Sequence, residues 1–118
     1  MSSELVYEPI PELSKIEIEQ AVEQNDPEEL LIAVLSAALY LDFDFAESIC
    51  LRLSEHENFK VRGNAVLGFS HIARIHNRLN KQLVKPVVLN ALNDEHEYVR
   101  GHAQDVKEDL EHFLDWKF

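Results

Sequence analysis

Two stretches of this chain read alike at a separation of 38 residues: Val61-Arg62-Gly63-Asn64-Ala65 and Val99-Arg100-Gly101-His102-Ala103. Each follows an apolar segment and an acidic turn. A supersecondary unit of this length cannot bury its own apolar face, so copies stack and leave an extended surface open for binding. The repeat therefore points to stacked helical hairpins.

The likeness runs beyond the signature. At the same offset Leu51 pairs with Leu89, Gly68 with Val106, Ile72 with Leu110 and Ile75 with Phe113. Val99, Ala103, Val106, Leu110 and Phe113 recur at steps of four and three, one face of an α-helix, and Val61, Ala65, Gly68, Ile72 and Ile75 keep the same rhythm. On one flank of this stripe the first copy has Val66, Phe69 and Ala73, where the second has Gln104, Lys107 and Glu111. The first helix is expected between two neighbours and the second at the end of the stack, as a cap that completes a small solenoid. A neighbouring subunit over the polar flank is the alternative.

The rest of the chain fits six helices in three antiparallel hairpins, an all-α short solenoid. Residues 1–11, with Pro9 and Pro11, read as an extended arm. Residues 12–24 form a short acidic helix with a ragged apolar face of Leu13, Ile16, Ile18, Ala21 and Val22. Asp26 suits an N-cap, Pro27 the first turn and Glu29 a capping box, opening a helix to about residue 41. That helix is apolar nearly all round and is expected to be the central buried one. A helix from Asp42 or Asp44 runs to about 54, the first signature helix to about 77, a fifth from 81 to 92 and the second signature helix to about 116. Residues 12–43 form a degenerate repeat or cap, 44–78 a repeat, and 80–118 the C-terminal repeat and cap.

The segment Ala91-Leu92-Asn93-Asp94-Glu95-His96-Glu97-Tyr98-Val99-Arg100-Gly101-His102-Ala103 resembles a HEAT repeat, in which an Asp closes the turn and Val-Arg opens the second helix. Pro86, in the first helix of the same unit, matches the kink such repeats often carry. The first copy departs from the pattern, with His56 in place of the turn Asp and no counterpart of Pro86. The resemblance covers about the last 75 residues and implies binding of a partner along the surface of the second helices. Arg62 and Arg100, as part of the repeated signature, are expected to pair with turn carboxylates such as Asp94 or Glu57.

Composition agrees with one small domain: 46% hydrophobic residues, three Gly and four Pro among 118, and no β-branched alternation. Lone Cys50 cannot form an internal disulfide, which favours a reducing compartment. No signal peptide or membrane-length apolar run is visible, so a cytoplasmic location is expected.

Charge is divided unevenly. Residues 1–57 hold 14 Asp plus Glu against Lys15 and Arg52, a net of about −12, whereas residues 58–118 hold 8 against 9. Such a field repels nucleic acid and anionic lipid and attracts a basic protein. It also aids solubility without any partner. Arg74, Arg78, Lys81 and Lys85 cluster at a turn, but helix-dipole stabilisation accounts for cations there.

Six histidines raise the question of a metal or acid–base site. His102, Asp105, Asp109 and His112 share one helical stripe, yet a single helix face is normally solvated polar surface, and metal sites draw ligands from more than one element. No His-Glu-x-x-His sequence, phosphate loop or Cys cluster is present. Neither catalysis, a metal nor a cofactor is expected. Asn64, Leu67, His71 and Arg74 occupy the matching row of the first copy.

Two readings follow. In the first, the chain is an inhibitor that covers a basic enzyme as a monomer or 1:1 heterodimer, in the manner of bacterial immunity proteins against nuclease toxins. In the second, it is a HEAT-like adaptor holding a segment of a larger complex. Candidate contact residues are Glu17, Glu23, Asp42, Asp44 and Glu47 on the acidic half, and Asn64, His71, His102, Asp105 and Asp109 on the second-helix rows.

Overall fold

Helix starts are set by side chains that take otherwise unpaired amides. The computed structural model describes residues 9–118, and among these are α1 (Lys15–Gln24), α2 (Pro27–Tyr40), α3 (Phe43–Leu53), α4 (Phe59–His76), α5 (Lys81–Ala91) and α6 (Glu97–Leu114). Most of the expected arm, residues 1–8, lies outside the described residues. Asp26 caps α2 through the Glu28 amide with Pro27 in the first turn, but Glu29 does not complete a capping box. That motif belongs to α1 instead, where Ser14 accepts from the Glu17 amide and Glu17 accepts from the Ser14 amide. Asp42, Asn58 and His96 cap α3, α4 and α6. Asn25, Asn77 and Asp115 end α1, α4 and α6 at a φ of 59°, a left-handed turn that asparagine and aspartate tolerate.

The six helices form hairpins α1–α2, α3–α4 and α5–α6, with α2, α4 and α6 stacked side by side. The expected stripes are the core: Val61, Ala65, Ile72, Val99, Ala103, Val106 and Leu110 are at most 1% exposed. The last step fails in both copies, since Ile75 and Phe113 lie beyond the packing and are 43% and 37% exposed. The central helix is α4, not α2. Ile32 and Tyr40 of α2 are exposed because α2 stands near one end of the stack, whereas α4 packs against α2, α3, α5 and α6. On the flank singled out by the repeat, α6 leaves Gln104 exposed and pairs half-buried Lys107 with Glu111 at 3.1 Å, where α4 buries Val66, Phe69 and Ala73. After α6 the chain turns back and buries Trp116, with Lys81 Nζ 5.7 Å from the ring centre, so the helix ends before residue 116.

The turns form their own ladder. Asp94 Oδ1 accepts from the His96 amide at 2.9 Å, and His56 Nδ1 accepts from the Asn58 amide at 3.0 Å. Thus His56 performs the task of the turn Asp it replaces. Its Nδ1 being an acceptor, Nε2 carries the proton and donates to Asn25 Oδ1 at 2.6 Å, tying the first turn to the second. Arg62 ties the second to the third: its Nε and Nη2 bind the two Asp94 oxygens, each at 2.9 Å, while Nη1 donates to the His56 and Glu57 carbonyls. Arg100 Nη1 donates to the Asp94 carbonyl at 2.8 Å. The Arg62–Asp94 pairing expected from the repeat is therefore present, while Arg100 meets Asp94 at its backbone rather than its carboxylate.

Close approach explains two glycines. A Cβ on Gly68 would stand 2.5 Å from Cys50 Sγ, and one on Gly63 2.5 Å from the Tyr98 ring. Gly101, the repeat equivalent of Gly63, has nothing within 4 Å of such a Cβ. Glycine inside a helix costs about 1 kcal/mol relative to alanine. Gly101→Ala is therefore expected to raise stability by roughly 0.5–1 kcal/mol, checked by urea unfolding, and a loss of stability would show an unrecognised neighbour at that site.

None of the described helices is long and apolar enough to cross a membrane. Cys50 is fully buried, and burial, aided by Glu47, pushes its thiol up to about 12.

Candidate partner-binding surface

The candidate residues fall into two separate groups. Glu17, Glu23, Asp42 and Asp44 are exposed on α1 and at the start of α3. Asp42 binds Lys15 at 2.7 Å and the Phe45 amide at 3.2 Å, and these two donors hold its carboxyl below the usual range. Glu47 does not belong with them. It is 6% exposed, and its Oε2 accepts from the Asn80 amide at 2.7 Å, fixing α3 to the start of α5. The acidic surface is instead widened by residues that periodicity did not single out: Glu12, Glu19, Asp26, Glu28 and Glu29 are all exposed around α1 and the first turn of α2. Across residues 12–29 the only cation is Lys15, which is paired with Asp42.

The second group lies on α4 and α6. Asn64 is buried rather than displayed: its Oδ1 accepts from Tyr98 Oη at 2.8 Å, and its amide nitrogen donates to the Leu31 carbonyl at 3.4 Å. It joins the three stacked helices α2, α4 and α6. His71 is half-buried and accepts through Nδ1 from Arg74 at 3.0 Å. Burial, then the Arg74 charge, lowers its pKa, with Asp109 on the neighbouring helix opposing them. Burial likewise lowers His102, whose ring meets Tyr98 edge-on with centroids 4.6 Å apart. Asp105 is exposed and Asp109 half-buried. No three His, Cys, Asp or Glu side chains among the described residues converge as metal ligands.

The depressed histidines set a pH dependence. Their neutral forms are favoured in the fold, so the unfolded chain binds more protons once pH falls to the ordinary value of 6.5. The contribution is fully present above that value and is lost as pH drops through the lower folded values. Urea unfolding between pH 7.5 and 5 is expected to show this decline, and His71→Gln with His102→Gln to flatten it.

A second open feature lies on the outer face of α6, a shallow and largely carbon-lined depression bordered by Glu97, Tyr98, Gly101, His102, Gln104 and Asp105. Among the described residues no helix covers it.

The fold has a counterpart in a solved structure. The chain folds like a chain of a CDI complex. The likeness is to the crystal structure of CDI complex from Cupriavidus taiwanensis LMG 19424, with a TM-score of 0.80 and 24% sequence identity over 93% of this chain and 98% of that one. No protein-family model and no curated protein matches the sequence. At this identity the likeness is one of fold. The HEAT resemblance accordingly describes the stacking of the hairpins, and membership of that family is not shown.

Proposed function

We propose that this chain is a non-enzymatic immunity protein that binds and neutralises a basic toxin such as a nuclease. The observation that carries the proposal is the shared fold with a chain of a CDI complex, a contact-dependent inhibition assembly, over nearly the whole of both chains. Size alone would not distinguish an inhibitor from other helical proteins. The match adds a precedent in which this stack of hairpins is part of such a complex. The surface charge supports it, since the exposed acids of α1 and α2 supply the field that steers a basic partner to encounter.

The adaptor reading draws on one observation, the uncovered face of α6, which could hold a segment of a larger assembly. The two readings differ in rate and salt dependence. Steered inhibition predicts fast association that slows sharply with salt, and adaptor binding predicts weak dependence on salt.

The clean variant neutralises Glu19, Glu23, Glu28 and Asp44, which are exposed and whose side chains make no hydrogen bond to the described residues. Glu17 and Asp42 are spared because they cap helices. Stopped-flow association with the basic partner at low salt is expected to slow by about tenfold or more, with little change in dissociation. An unchanged on-rate would contradict steering by this surface.

A further inference from the structure

We propose that the depression on α6 around Gly101 is a seat for an aromatic side chain carried on a basic helical segment of a protein partner. The protein contains its own precedent. On α4, Gly63 lacks the Cβ that would otherwise meet the Tyr98 ring at 2.5 Å, and the Tyr98 hydroxyl reaches Asn64 Oδ1 at 2.8 Å. A glycine notch and a neighbouring acceptor thus receive a tyrosine from the next helix in the stack.

The repeat offset carries this arrangement onto α6, with Gly101 for Gly63 and His102 for Asn64. Among the described residues no helix packs on this face of α6. Nothing lies within 4 Å of a Cβ on Gly101, while His102 borders the depression, makes no side-chain hydrogen bond to the described residues, and packs its ring edge-on against Tyr98 with Cδ2 3.2 Å from where a Gly63 Cβ would stand. The fold alone gives no reason for a glycine at this exposed helical position, where alanine would be more stable. The border of the depression decides the occupant. Glu97, Asp105 and nearby Glu108 are exposed, while Arg100 turns its guanidinium toward the Asp94 carbonyl. A second copy would bring like charges face to face, whereas a segment rich in Lys or Arg is complementary. Burying an aromatic ring supplies the apolar area of such an anchor.

The inference uses the protein-binding reading only for the existence of a partner, and its test needs none. A synthetic helical peptide with the spacing of Tyr98, Val99, Ala103 and Val106 and Lys at its remaining positions is titrated into the ¹⁵N-labelled full chain. A twin peptide has Ala in place of Tyr. The tyrosine peptide is expected to shift the amides of residues 97–105 and to bind at least about tenfold more tightly than its twin, which corresponds to about 1.4 kcal/mol. Gly101→Ala, whose melting temperature should not fall, is expected to remove that difference, and Gly101→Leu to abolish binding at the seat. Equal binding of the twins would overturn the proposal, as would shifts confined to α1 and the start of α2, which charge attraction alone would give. Shifts at residues 97–105 that grow with protein concentration without peptide would assign the face to a second copy and overturn it too. A failure at this seat would leave the inhibitor reading standing, and a failed partner search would leave the seat result standing.

Discussion

Gly68→Val is expected to destabilise the protein by about 3 kcal/mol or more, at the upper end of the cost of overpacking a core. A Cβ there would stand 2.5 Å from Cys50 Sγ and 3.4 Å from Ala38 Cβ, and both neighbours are fully buried, so neither can swing into solvent. The notch lets α2 and α3 approach α4 from two sides. Thermal unfolding and urea titration measure the loss. A coupled variant separates crowding from the change in helix propensity. In a Cys50→Ala background, Gly68→Ala is expected to lose most of its penalty, because the nearest obstructing atom has gone and alanine is the better helix former. Equal penalties in both backgrounds would refute the close approach as the cause.

The second large effect is expected from Arg62→Ala, at about 2–4 kcal/mol near neutral pH, somewhat below the range for breaking a fully buried pair. Arg62 and Asp94 are each 15% exposed, and removing the guanidinium leaves the carboxylate uncompensated as well as freeing the His56 and Glu57 carbonyls. The pH dependence has a definite sign. The Arg62 hydrogen bonds hold the Asp94 carboxyl below its ordinary 3.8, so the pair's contribution is present above that value and is lost as pH falls through the lower folded value. The stability difference between wild type and Arg62→Ala should therefore narrow as pH is taken from 5 to 2. A gap that stays constant would mean that lost packing, not charge, dominates.

How much of this could be read from the sequence is clearest residue by residue. The stripes through Val61 and Val99 were legible because burial repeats at steps of four and three whatever the identity of the apolar residue. The order of the stack was legible from Val66, Phe69 and Ala73 against Gln104, Lys107 and Glu111. Apolarity misled at α2, since it cannot show whether a helix has neighbours on one side or two. The site was less legible. Glu47 looks like its exposed acidic neighbours, and only the Asn80 amide, 33 residues away, explains its burial. Asn64 falls on a polar row but is covered by Tyr98 from another helix. His56 departs from the repeat in residue type, but the turn requires only an acceptor atom at that point, which its Nδ1 supplies. Gly63 and Gly101 are the same letter in the same motif, and position in the stack makes one a contact and the other an opening.

The central claim is tested most directly by affinity capture with the full chain from its native source at low and at high salt, followed by mass spectrometry and an activity assay of what is retained. An inhibitor of a basic toxin would retain one strongly basic protein in 1:1 amount, released by salt, whose activity is suppressed when this chain is added back. Recovery of several non-basic components of a larger complex, or of a partner whose activity is unaffected by the chain, would contradict the inhibitor reading.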